Sequence, residues 1–175
     1  MIVRHIVNID LNTKSTTRPA VIAAIVSGGK TLLVRNPELQ FPQWKFPAGG
    51  VEMNETPLQA LVREIAMETG FSIPCVENGD GTLTIGDDYT TVHHLSSTKV
   101  ETAEDTHTQH RFLIEPTDVE DILRLDRQFR KEDRFETLET GIRVFSSLVT
   151  MTDFLWKQFD MLKEVTDKLQ ELSAA

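Results

Sequence analysis

From Thr56 to about Thr69 the chain reads as one helix with both ends marked, and strand-like sequence lies on either side of it. Leu58, Leu61, Val62 and Ile65 fall on one face at helical spacing. Pro57 sits where a first turn tolerates proline, and Gly70 supplies the stop. Ahead of the helix come strand candidates at 3–11, 20–27 (AVIAAIVS) and 31–35 (TLLVR). The last two flank Ser27-Gly28-Gly29-Lys30, which reads as a tight hairpin. A polar loop with Pro37, Pro42 and Pro47 follows and ends at Ala48-Gly49-Gly50. Beyond the helix, extended pieces recur at 71–76, 81–86, 89–95 and 109–114. A helix set among such runs points to the α/β (α+β) class.

The remaining segments are read the same way. Ser96–Thr108 is polar and is expected to be a mobile loop. A short helix is expected at 117–124, starting from Thr117, and an extended segment near 138–145. A long C-terminal helix is expected from about 151 to 172, with Thr150 and Asp153 as its start signal. Its stripe of Phe154, Leu155, Phe159, Leu162, Val165, Leu169 and Leu172 would pack on the protein's own sheet or form a homodimer interface. The 175 residues suit a single domain spanning 1–175.

Charge narrows the range of partners. There are 27 acidic against 18 basic residues, a formal net charge of −9. Such a surface repels a nucleic-acid polymer unless a basic stripe overrides it. The nearest approach to one, Arg124, Arg127, Arg130, Lys131 and Arg134, is interrupted by Asp126, Glu132 and Asp133. A small phosphorylated ligand is still compatible, because bound cations neutralise both partners. No apolar run is long enough to span a bilayer, and the N-terminus lacks a signal peptide's apolar stretch, so a cytoplasmic protein is expected. Cys75 is alone and is expected to be a buried small hydrophobe.

The chemistry concentrates around the marked helix. Glu64 and Glu68 are four residues apart, so their carboxylates share a helix face and repel each other by a few tenths of a kcal/mol. A cation between them reverses that sign. Mg²⁺ is held by one or two carboxylates and keeps waters and phosphates at its other positions. Glu55 precedes the helix, where the macrodipole favours negative charge. Gly49-Gly50 allows close backbone approach and can present a carbonyl, and Arg63 can grip a carboxylate in two places.

Gly49-Gly50-Val51-Glu52-Met53-Asn54-Glu55 through Arg63-Glu64-Ile65-Ala66-Met67-Glu68-Thr69-Gly70-Phe71 resembles the box of the Nudix hydrolase family. The family pattern is G-x5-E-x7-R-E-U-x-E-E-x-G-U, with U a bulky aliphatic or similar residue. Gly49, Glu55, Arg63, Glu64, Ile65, Glu68, Gly70 and Phe71 fall on their places, while Met67 stands where the family has Glu. Trp44-Lys45-Phe46-Pro47-Ala48 resembles the usual lead-in.

The resemblance implies an α/β/α sandwich with a mixed sheet. It also implies Mg²⁺- or Mn²⁺-dependent hydrolysis of a nucleoside diphosphate linked to another moiety. Glu64, Glu68, Arg63 and Glu55 would form the catalytic set, and Glu64, Glu68 and the Ala48 carbonyl would hold the metal. Arg35, Lys45 and Trp44 are candidate contacts for a small nucleotide. The base would be Glu64 or a later acid among Glu132, Asp133, Glu136 and Glu139. A thioether at position 67 is a poor ligand for a hard cation, which leaves a nucleotide-binding or sensing module with little turnover as the alternative. His93-His94, adjacent in a strand, would point to opposite faces.

Overall fold

The computed structural model describes residues 2–6, 9–15, 18–35, 44–101, 103, 106–131, 141–145 and 158–175. In chain order these form β1 (Ile2–Ile6), β2 (Ala20–Ser27), β3 (Lys30–Arg35), β4 (Ala48–Gly50) and α1 (Pro57–Thr69). Then come β5 (Cys75–Glu77), β6 (Leu83–Ile85), β7 (Thr90–Glu101), β8 (Thr106–Pro116), α2 (Val119–Lys131), β9 (Gly141–Phe145) and α3 (Phe159–Ala174).

The strand β2 is apolar along its whole length because both of its faces are covered. Val21, Ala23 and Ile25 join a core with Leu58, Leu61 and Ile65 of α1 and Ile122 and Leu125 of α2. Ile22, Ala24 and Val26 join a second core with Met161, Leu162 and Val165 of α3. Strand residues alternate between faces, so one continuous hydrophobic run feeds two layers. The result is an α/β/α sandwich. The main sheet runs β1-β7-β8-β2-β3-β9, with β4 added to β2. It is mixed: β2 lies parallel to β8, Ala20 opposite Gln109 through Ile25 opposite Ile114, and the other pairings are antiparallel. Gly28 and Gly29 turn the β2–β3 hairpin with φ of 56° and 71°, the left-handed pair that a two-residue turn requires.

Several expectations change. Ser96–Thr108 is largely strand: β7 continues to Glu101 and β8 begins at Thr106. Its polar composition disguised a buried ladder whose side chains bond across strands. Ser97 Oγ meets His110 Nδ1 at 2.8 Å, and Ser96 Oγ donates to Glu164 Oε2 at 2.8 Å. The imidazole of His110 is pushed down to about 4, by burial first and by neighbouring His94 second.

Of the strand expected at 3–11, β1 is described over Ile2–Ile6, residues 7 and 8 lie outside the described residues, and Asp10 folds a local turn by accepting from the Asn12 N–H and the Thr13 hydroxyl. Cys75 is exposed, because β5 and β6 form a separate two-stranded ribbon and all three β5 residues lie at the surface. The expected short helix is longer, Val119–Lys131.

The described part of the last helix starts at Phe159; Thr150, Asp153, Phe154 and Leu155 lie outside the described residues. Its Leu162 and Val165 are buried against the protein's own sheet, with Leu169 and Leu172 partly so. At roughly 1.5–3 kcal/mol for each fully buried side chain, that contact is a substantial part of the fold's stability. Among the described residues no helix is long and apolar enough to cross a membrane.

Candidate active site

The helix α1 is fixed at both ends before it meets the site. Thr56 caps it: its hydroxyl accepts from the Gln59 N–H at 3.2 Å, while the Gln59 side chain accepts from the Thr56 N–H at 2.9 Å. This reciprocal box was legible as Thr-x-x-Gln and was missed in the sequence. Gly70 ends the helix in the left-handed conformation, with its N–H bonded to the Ala66 carbonyl. The loop before the helix turns tightly at Met53-Asn54, where Asn54 has φ of 66°.

Arg63 organises the acids. Its Nε and Nη2 donate to the two oxygens of Glu55, each at 2.8 Å, in the bidentate geometry that fixes both partners. Nη2 also reaches the Gly50 carbonyl at 2.9 Å, and Nη1 donates to Glu64 Oε1. Glu55 therefore owes its place to Arg63 more than to the helix dipole, and that contact holds its carboxyl below the usual range.

Glu64 lies directly over Gly49. A Cβ added there would sit 2.0 Å from Glu64 Cδ, so any side chain at position 49 would evict the carboxylate. Gly49 is thus required by close approach and not by an unusual backbone angle. Glu68 Oε2 accepts from the Ala48 N–H at 2.9 Å. Burial pushes the Glu68 carboxyl up, and Glu64 adds to the effect, while the Ala48 N–H and Lys45 pull the other way.

The strand β4 explains why the main chain takes part. Val21 opposite Gly49 pairs it to β2. Ala48 directs its N–H away from β2 to Glu68, and in a strand a residue's carbonyl leaves by the same edge as its N–H. One strand edge therefore offers the Ala48 carbonyl toward α1. Glu64 Oε2 and Glu68 Oε1 carry no hydrogen bond among the described residues.

Of the residues singled out in the sequence, Glu55, Arg63, Glu64, Glu68 and Ala48 come together here, and Lys45 lies near enough to act on Glu68. Lys45 pairs with Val34 of β3, and Arg35 ends that strand opposite Gly141. Trp44, a candidate nucleotide contact, is buried in the α3-side core beside Phe46. Glu132, Asp133, Glu136 and Glu139 lie outside the described residues. Met67 is 72% exposed, with its sulfur 4.0 Å from Arg63 Nη1. His93 bonds Glu115, and His94 bonds Ser97.

Among the described residues no three His, Cys, Asp or Glu side chains are grouped to hold a metal. The donor set suits Mg²⁺ nonetheless, because that ion needs only one or two protein carboxylates and completes its shell with water and substrate oxygens. Two hard carboxylates with free oxygens, one kept from ionising easily, plus a strand-edge carbonyl are such a set.

A mixed sheet between helices, with a helix that sets arginine-braced glutamates against a glycine strand, is the Nudix architecture. Residues 16–140 match the NUDIX domain, and the chain belongs to that family. Solved structures of similar fold include a Bacillus subtilis pyrophosphohydrolase (18% identity, 95% of this chain and 90% of that one, TM-score 0.55). The NUDIX domain of Shewanella oneidensis NrtR complexed with ADP ribose is another (12%, 93% and 94%, TM-score 0.58). A third is a C. elegans Ap4A hydrolase in a binary complex (14%, 89% and 99%, TM-score 0.55). Among curated proteins, an RNA pyrophosphohydrolase of Halorhodospira halophila is 67% identical over 28 residues, which is 16% of this chain and only 16% of that protein.

Proposed function

We propose that the protein is a divalent-cation-dependent Nudix hydrolase that cleaves the pyrophosphate bond of a small nucleotide, a nucleoside diphosphate linked to another moiety. The observation that carries this reading is the seating of Glu64 on Gly49 and of Glu68 on the Ala48 N–H, with one oxygen of each unbonded among the described residues. Glu64, Glu68 and the Ala48 carbonyl would hold Mg²⁺ or Mn²⁺. When bound, such a cation supplies acidity to the attacking water and charge to the bridging oxygen. Arg63 would keep Glu64 in place while neutralising Glu55, and the water's proton would go to Glu64 or to a later acid among Glu132, Asp133, Glu136 and Glu139. Lys45, on the Glu68 side, complements phosphate charge. The names of the relatives share pyrophosphate-linked chemistry: an RNA pyrophosphohydrolase, an Ap4A hydrolase and a NUDIX domain complexed with ADP ribose. An exposed free thiol at Cys75 suits a reducing, cytoplasmic setting.

A second reading has its own observation. Met67, exposed beside Arg63, removes one carboxylate from the cluster, which favours a nucleotide-binding or sensing module with little turnover. A nucleotide panel covering ADP-ribose, dinucleoside polyphosphates, sugar nucleotides, triphosphates and 5′-triphosphorylated RNA, with Mg²⁺ and with Mn²⁺, separates the two. Phosphatase-coupled release of phosphate supports the hydrolase. Tight binding with no release on any substrate supports the module.

A further inference from the structure

The site-bearing segment crosses between two strands at Phe46-Pro47. Lys45 exchanges both backbone bonds with Val34 of β3, at 2.8 and 2.9 Å, so at that point the chain belongs to β3. Three residues later Ala48 lies opposite Ile22 of β2, and its N–H goes to Glu68. Between them Pro47 has no N–H to give, so Phe46 carries the crossing's one donor. Phe46 is fully buried, and a buried N–H left without a partner is destabilising. The partner comes from far along the chain: the Gln158 side-chain carbonyl accepts the Phe46 N–H at 2.9 Å.

Gln158 is an unusual choice for its own place. It precedes α3, and its backbone carbonyl accepts from Leu162, but its side chain makes no capping bond to the helix. The side chain serves Phe46 instead. Trp44 and Phe46 are also packed against α3 through Met161, Leu162 and Val165. The back helix therefore grips the crossing by both packing and a directed hydrogen bond, and the residues on either side of the gripped amide are Lys45 and the Pro47-Ala48 pair.

We propose that Gln158 is a positioning residue for the metal and phosphate site: through the Phe46 N–H it sets where Lys45 and the Ala48 edge stand against Glu68. This rests on the metal-dependent reading of the site given above. Gln158 makes no hydrogen bond with Glu64, Glu68 or Arg63 among the described residues, so its effect passes through the main chain.

The test uses the full chain with Gln158→Met, which keeps length and removes the acceptor, and Gln158→Glu, which restores an acceptor at the same reach. Two readouts need no turnover: Mn²⁺ affinity by electron paramagnetic resonance, and the chemical shift and hydrogen-exchange protection of the Ala48 amide. Supporting bonds around a metal ligand are typically worth 10–100-fold in affinity, so Gln158→Met should weaken Mn²⁺ binding roughly ten-fold. It should also shift and deprotect the Ala48 amide, and Gln158→Glu should recover most of both. If Gln158→Met does not fold, Gln158→Asn, one methylene too short to reach Phe46, takes its place.

A variant that lowers the melting temperature but keeps wild-type Mn²⁺ affinity and a wild-type Ala48 amide would overturn the positioning role and leave Gln158 a packing residue. Failure of the wild type itself to bind Mn²⁺ overturns the metal reading, and the Ala48 amide then decides the positioning role alone.

Discussion

Two arginines, one in α1 and one in β8, each hold two carboxylates, and they teach different things. Arg111 is almost fully buried, with 3% of its side chain exposed, and grips Asp160 at 2.7 Å and Glu164 at 3.0 Å from α3. Gln109 accepts twice more from it, and Ser96 takes the second oxygen of Glu164. That cluster uses both oxygens of Glu164, leaves only Asp160 Oδ1 unbonded among the described residues, on a side chain 30% exposed, and fastens a helix to a sheet. Arg63 is 26% exposed and braces Glu55 and Glu64, yet among the described residues one oxygen of Glu64 and one of Glu68 are left over, and burial pushes the Glu68 carboxyl up. An arginine–carboxylate cluster does not by itself mark a reactive site. What sets the α1 cluster apart is an unbonded oxygen on each of two neighbouring glutamates, Glu64 and Glu68, among the described residues.

The largest expected effect tests the open cluster. Glu68→Gln keeps an oxygen for the Ala48 N–H but removes the charge that draws a cation. Cation-dependent turnover should fall by more than the roughly 10–100-fold typical of an outer-shell partner, with folding intact. Steady-state rates at low Mg²⁺ that match the wild type would dissolve the distinction between the two clusters.

Arg111→Met should do the opposite. It strands two partly buried carboxylates, and breaking a buried pair costs about 3–5 kcal/mol. Since Asp160 and Glu164 keep 30% and 21% of their side chains in solvent, about 2–3 kcal/mol is the better figure. A urea midpoint shift of that size, with catalytic constants per folded molecule unchanged, is the expected outcome.

Met67→Glu should sharpen the open cluster further. Position 67 lies three residues after Glu64, so the new carboxylate reaches the same cation, and the Mg²⁺ concentration for half-maximal rate should fall. Without metal the added like charge should cost about 0.2–0.5 kcal/mol, and thermal stabilisation by Mg²⁺ should grow accordingly. An unchanged Mg²⁺ dependence would mean that the exposed Met67 edge takes no part.

The smallest effect is a pair of opposed slopes with pH. Glu68 has its carboxyl raised by burial, so the folded protein binds that proton more tightly than the unfolded chain. Its contribution is fully present below the ordinary carboxylate range and is lost as pH rises through the raised value. Glu55 is lowered by Arg63, so its contribution is present above the ordinary range and is lost as pH falls through the lowered value. Metal-free stability curves for Glu68→Gln and Glu55→Gln, each subtracted from the wild type, should therefore tilt in opposite directions. Parallel tilts would show that the two acids share one environment.

What the sequence made legible was local or strongly periodic. The α1 stripe, its Pro57 and Gly70 boundaries, the Gly28-Gly29 hairpin and the spacing of Glu64 and Glu68 all follow from contacts within a few residues. The polar β7–β8 ladder was hidden because Ser96, Ser97 and Thr98 are satisfied by residues from distant segments, and a polar run reads as a loop when those partners are unknown. Cys75 went wrong for the converse reason: a strand-like residue is buried only if a second layer covers its ribbon. Trp44 alternates with Lys45, and only the position of α3 reveals which of the two faces the core.

The parallel pairing of β2 with β8 joins residues 20–25 to residues 109–114, and that has a consequence in time. Such non-local contacts are slow to form, because a long loop must close before any reward arrives. At roughly 5–20 residues per second of synthesis, the helix that carries the glutamates waits several seconds after emerging before its sheet can be completed. In that interval Leu58, Leu61 and Ile65 lack the β8 side of their core, Phe112 and Ile114. The nascent box helix is thus an exposed apolar surface of the kind chaperones hold.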